Sequence, residues 1–267
     1  MDVIKRNLMK LMKSGVLNEY EQLEPMSRFK WNRLAEIAIA QHVSTEVAQG
    51  IRNHQYDDIQ FVPSNLIRQL EDTEPEVTSN PDTTLLANRL LRRKQTKIRE
   101  EEELALDSSK ETLHVLNLLI DNISHMLNSG ISLGKLIELG RYLRTRGDRV
   151  DFVKLEDWLK RLHMNRMASL TGSLMMCAFD FKQEELPFVT RYEPAAYKLM
   201  ERSIRHTEID AAKDWHFRQT RTGFVRNNSA ALRKNLRRSI RYVGYAPLET
   251  ISNALHGFVR SLSEIEE

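Results

Sequence analysis

Cysteine occurs once in the 267 residues, at position 177. A single thiol excludes an intrachain disulfide framework and any zinc or iron–sulfur site built from several cysteines, and it fits a reducing compartment. Its neighbours in LMMCAF are apolar, so an inert core thiol is expected. Glycine (10) and proline (7) are scarce, and no clean two-residue alternation bounded by hairpin turns occurs, which argues against a substantial sheet. No window of about 18 uninterrupted apolar residues exists. The opening MDVIKRNLMKLMKSG breaks its apolar stretch with lysines. Neither a membrane span nor a signal peptide is expected, and the cytoplasm is the simplest location. Charge of one sign is also missing: 40 basic against 37 acidic residues leave +3, so any case for a polyanionic partner rests on local patches.

What is present is helical periodicity. Apolar residues recur at three- and four-residue spacing along most of the chain, which predicts an all-α protein, an irregular bundle of roughly ten helices forming one domain over 1–267. The amino-terminal helical part covers 1–70. In WNRLAEIAIAQHV, the residues Trp31, Leu34, Ile37, Ala38 and Ala40 line one face, and Ser44 is placed to cap a helix carrying Val47 and Ile51. EDTEPEVTSNPDTT, 71–84, reads as a polar loop. Pro81 and Asp82 then open a long charged helix over about 85–106, where Lys97 and Glu101, and Arg99 and Glu103, stand one turn apart.

The carboxyl-terminal helical body spans 110–267. LHVLNLLIDNISHML carries Leu113, Leu116, Leu119, Ile120, Ile123 and Leu127 as a broad core stripe ended by Gly130. Ser132 and Gly147 bound the next helix, Asp151 caps another, ASLTGSLMMCAFDF reads as a buried helix, and a further one follows Pro194. A basic helix over about 229–242 precedes a final amphipathic helix starting at Pro247, with Ile251, Leu255, Phe258 and Leu262 along one side.

Chemistry-bearing patterns are weak. His114, Asp121 and His125 share a helix without a His-Glu-x-x-His pattern, so surface or core roles are expected before metal binding. Arg202 and His206 are separated by three residues, too few for the arginine-to-histidine spacing of a helical ribonuclease. Nucleotidyl transfer needs carboxylates that hold Mg²⁺ against a triphosphate. Gly172-Ser173 precedes Asp180-Phe-Lys182, with a lysine where the second carboxylate belongs, and Asp72-Thr-Glu74 lacks a preceding Gly-Ser. Neither a Gly-x-Ser-x-Gly turn nor a phosphate-binding Gly-x-x-x-x-Gly-Lys loop is present. No catalytic, cofactor-binding or metal-ligating residue is therefore assigned.

Two stretches read together carry a resemblance. RFKWNRLAEIAIAQHVSTEVAQGI is similar to the opening of a bacterial family of uncharacterised nucleotidyltransferases of the polymerase-β-like superfamily, in which a Trp-x-x-Leu helix leads into a Gln-His-Val turn. LHVLNLLIDNISHMLNSGISLGKLIELGRYLR, with VDFVKLEDWLKRLHM and EELPF after it, resembles the helices that follow the catalytic domain there. The tail, with WHFRQTRTGF and YAPLE, resembles the family's ending. The catalytic α/β unit of about a hundred residues that members carry between these parts has no counterpart, since the charged helix runs through LALDSSKET directly into the Leu-His helix. The resemblance implies a helical relative without the catalytic residues, acting as a scaffold through a protein partner or self-association.

A second reading comes from the tail alone. Between Trp215 and Leu248 stand eight basic residues and no acidic one: Arg218, Arg221, Arg226, Arg233, Lys234, Arg237, Arg238 and Arg241. Interleaved with Phe217, Phe224, Tyr242 and Tyr245, they form a pattern that contacts phosphates and stacks on unpaired bases, as in RNA binding. Leu232, Leu236, Ile240 and Val243 form a stripe along the same helix, expected to face the core, with membrane-surface attachment the less favoured use.

Overall fold

The computed structural model describes residues 2–56, 62–63, 65–72, 80–106, 109–205 and 236–263. The described residues contain α- and 3-10 helices and no strand, so the fold is all-α. The α-helices are α1 (Val3–Leu17), α2 (Arg28–Ala40), α3 (Ser44–Asn53), α4 (Leu66–Glu71), α5 (Arg89–Leu104) and α6 (Lys110–Asn128). They continue with α7 (Leu133–Arg146), α8 (Phe152–Arg161), α9 (Asn165–Phe179), α10 (Ala196–Arg205), α11 (236–242) and α12 (Pro247–Ser263). The chain divides into two compact units, one of residues 1–78, 132–137 and 197–223, the other of 79–131, 138–196 and 224–267.

In the first unit, α1 buries Leu8, Leu11 and Met12, and α2 buries Trp31, Leu34, Ile37 and Ala38. Ala40 lies outside that buried set. Helices α1 and α3 cross where Gly15 faces the backbone of Glu46 and Gly50 faces the backbone of Leu11, with no room for a Cβ at either. Glycine at both positions lets the two backbones touch, at the cost of helix propensity. Ser44 is the first helical residue of α3, and Val43 stands at the cap. At the end of α3, His54 is buried between the carbonyls of Gly50 (2.8 Å) and Glu21 (3.1 Å), tying the helix to the connection before α2.

The second unit is organised around α6, which packs against α5, α8, α9 and α12. Leu116, Leu119, Ile120, Ile123 and Leu127 lie in its core as the periodicity predicts, while Leu113 is half-buried at the helix start. Gly130 follows the helix end with φ 116°, a left-handed conformation that glycine adopts without steric cost. Ser109 caps α6 by accepting from the Thr112 amide, and Asp151 caps α8 by accepting from the Lys154 amide (2.9 Å).

The charged helix starts later than Pro81 and Asp82 predict. Those residues form a 3-10 turn, Pro81–Thr83, and the chain then runs extended until Asn88, whose side chain accepts from the amides of Leu90 and Leu91 (both 3.0 Å). An asparagine cap satisfies two of the orphan amides of a helix start, so it fixes α5 at Arg89. Lys97 pairs with Glu101 at 3.6 Å as spacing predicts. Arg99 does not take Glu103; it turns to Asn117 on α6 (2.9 Å).

Candidate interaction surface at the carboxyl end

The described part of the basic tail begins at α11. Of the basic residues singled out there, Arg218, Arg221, Arg226, Arg233 and Lys234 lie outside the described residues, as do Phe217, Phe224 and Leu232. Arg237, Arg238 and Arg241 are described. Arg237 is exposed, Arg241 half-buried, and Arg238 buried at 8% exposure.

The apolar stripe faces the opposite way from the sequence expectation. Leu236 is 59% exposed and Ile240 65%, and Val243 is exposed as well. The side of α11 turned inward carries Arg238 and Tyr242. Positions 238 and 242 are one helical turn apart and so share a face, as do 236, 240 and 243. The fold selects the first pair because Tyr242 supplies a large apolar body and Arg238 an aliphatic stem that packs beside it.

Helix α12 repeats the inversion. Ile251 (51%) and Leu255 (60%) are exposed, with Leu248 just before them, whereas Glu249 and Thr250 are buried. Glu249 explains the orientation. Its carboxylate accepts from the amides of Ala87 (2.5 Å) and Asn88 (2.9 Å), at the entry to α5. Asn88 also donates to the Ser252 hydroxyl at 2.8 Å. These bonds fix which side of α12 meets the body, and the Leu248, Ile251 and Leu255 side is left outward. Burial pushes the Glu249 carboxyl above its ordinary range despite the two amide donors.

The aromatics of the tail are engaged by the protein itself. Tyr242 is in the core, and burial pushes its phenol up. Tyr245 has the Arg166 guanidinium 4.6 Å from its ring centre, and Arg166 also binds Glu193 (3.0 Å) and the Gly244 carbonyl (3.0 Å). Neither ring is an open platform for base stacking.

The remaining candidates separate. His114 contacts Asp82, His125 contacts the Gly130 carbonyl, and Asp121 accepts from the Thr84 hydroxyl, so the three point to different partners. Among the described residues no cluster of three metal-ligating side chains forms. Gly172 and Ser173 lie inside α9, with Ser173 donating to the Ser169 carbonyl at 2.7 Å, and Asp180 is the left-handed residue that ends that helix. Asp72 ends α4. Arg202 lies in α10, and His206 is outside the described residues. Cys177 is half-buried rather than core, 3.1 Å from the Tyr192 hydroxyl, because α9 turns that position toward the surface while Leu174 and Ala178 pack inward.

Sequence periodicity found the amphipathic helices but missed which side is buried. The available signal was the polar pair Glu249 and Thr250 directly before Ile251, which fits a helix anchored through its polar side. No described helix is long and apolar enough to cross a membrane. No protein-family model, curated protein or solved structure matches the chain.

Proposed function

We propose that the protein works by binding, as a helical protein-interaction module in the bacterial cytoplasm, and that α11 and α12 are its contact surface. We further infer a relation to the accessory helices of the nucleotidyltransferase family that its sequence resembles. One observation carries the reading: Leu236, Ile240, Ile251 and Leu255 face outward while Arg238, Glu249 and Thr250 are buried. Fully burying one such side chain is worth about 1.5–3 kcal/mol, so Leu236, Ile240, Ile251 and Leu255 together match the core of a modest protein contact. Arg237 and Arg241 beside them favour an amphipathic helix with an acidic margin as the occupant. The helical setting of Gly172 and Ser173 supports a reading without nucleotidyl transfer.

RNA binding is the second reading. It keeps Arg237 and Arg241 as phosphate contacts but draws no support from Tyr242 or Tyr245, which are already engaged. A photo-crosslinking side chain placed at Ile240, and separately at Leu255, separates the two in living cells. The interaction reading expects crosslinks to one protein, another chain or a second copy, that disappear when Leu236→Asp is added. Crosslinks to RNA at both positions, or none to protein, would overturn it.

A further inference from the structure

On α5 the exposed charges are sorted by sign along the helix. Arg89, Arg93 and Lys97 stand in its first half and Glu100, Glu101 and Glu103 at its end, all six exposed. The first turn carries no acidic residue and the last turn no basic one. That order is the reverse of what the backbone dipole favours, which is carboxylates at a helix start and cations at its end. Leu90, Arg93, Lys97, Glu100 and Leu104 follow one another at alternating steps of three and four, so they share one face, away from the buried Leu91, Gln95, Ile98 and Glu102. The two leucines at its ends are 66% and 86% exposed.

A charged helix that is merely solvated interleaves its signs, so that neighbours one turn apart pair. Here Lys97 and, from the end of α8, Arg161 both take Glu101, at 3.6 and 2.9 Å. Among the described residues Arg89, Arg93, Glu100 and Glu103 form no ion pair. Both signs are thus left unpaired on one helix. Arg93 and Glu100 stand about 10 Å apart along the axis, too far to meet within it. The same face on a second copy, run in the opposite direction, closes that gap, because reversal sets each basic half against an acidic half.

We propose that α5 is a self-association surface, through which two copies of this chain pack antiparallel about a two-fold axis near Thr96 and Lys97. Arg93 then meets Glu100 of the second copy and Arg89 meets its Glu103, each pair occurring twice, while Leu90 meets Leu104 at both ends. Lys97 reaches the axis already paired with Glu101. Ion pairs at an exposed face are individually weak and screened by salt, so the dimer is dissociable and salt-sensitive. This contact is separate from the one proposed on α11 and α12 and does not depend on it.

Sedimentation velocity of the full chain tests the contact, in a Leu236→Asp background that keeps α11 out of any association. A monomer–dimer equilibrium is expected in about 50 mM salt, weakened at least tenfold in about 500 mM. Arg93→Glu and Glu100→Arg each weaken the dimer by about tenfold or more, since each sets like charges together twice. Both side chains are exposed, and either change brings the helix closer to the order its dipole favours, so loss of the dimer is not loss of the fold, which circular dichroism verifies. Mixing the two variants restores a dimer of one copy of each, because every crossed pair is then of opposite sign. A monomer at all concentrations up to about 1 mM in low salt, a dimer that neither reversal weakens, or a mixture that fails to restore it would overturn the proposal. Association seen only without Leu236→Asp would belong to the α11 surface and also overturn it.

Discussion

Replacing Glu249 tests the orientation of α12 directly. Its carboxylate is 2% exposed and accepts from the amides of Ala87 and Asn88, which have no other acceptor at the α5 entry. Glu249→Ala leaves both amides without this acceptor in a part-buried site, at about 1–3 kcal/mol for each unsatisfied group. Part of this is returned, because the wild-type carboxylate itself is held in an unfavourable buried setting. A net loss of about 3 kcal/mol is expected in urea unfolding followed by circular dichroism, with Glu249→Gln losing about half as much since its amide oxygen still accepts one bond.

The pH dependence has a definite sign. Burial raises the Glu249 carboxyl in the folded protein above its ordinary value of 4.5. The protonated form is therefore favoured by folding. Its contribution is full below that value and is withdrawn as pH rises through the interval above it, so the advantage of wild type over Glu249→Gln shrinks from acid toward neutral pH. An Ala variant within about 0.5 kcal/mol of wild type, or an advantage that grows with pH through that interval, would refute the orientation argument.

Three further outcomes follow from packing. Gly50→Ala drives a methyl into the Leu11 backbone and is expected to cost about 2–3 kcal/mol in thermal unfolding, while Gly147→Ala, with open space around it, stays within about 0.5 kcal/mol of wild type. Glu102 is buried, receives the Ser109 amide and lies 3.3 Å from Lys154, so Glu102→Ala is expected to lose about 3 kcal/mol by the same assay. On α11, Arg238→Ala is expected to cost about 2 kcal/mol while Arg237→Ala and Leu236→Asp change stability by less than about 0.5 kcal/mol, as chemical denaturation would report.

Helix existence was legible where propensity and packing agree. The stripe of α6, the cap at Asp151 and the stop at Gly130 all follow from local rules, because each satisfies backbone groups with residues close in sequence. The start of α5 was misplaced because Pro81 and Asp82 form a competent helix opening in isolation, and only the Asn88 side chain resets the boundary. The Arg99 contact is illegible for a related reason: spacing offers it Glu103, its neighbour on the helix, and its choice of Asn117 is a tertiary event between α5 and α6. His114 shares its helix with Asp121 and His125, whereas its partners are Asp82 and Tyr142.

The inverted faces of α11 and α12 mark the point at which periodicity stops being informative. A hydrophobic stripe says that a helix has two different sides; it does not say which side meets its own chain. On α12 the decision is made by one carboxylate reaching two amide donors at the entry to another helix, a directional interaction with no periodic signature. On α11 it falls to Tyr242, whose ring offers more buried area than Leu236 or Ile240 and draws Arg238 inward with it. An amphipathic helix docked through its polar side keeps its apolar side available. In a basic segment, that combination is what supports the proposed partner surface over the solvated face that charge spacing alone would indicate.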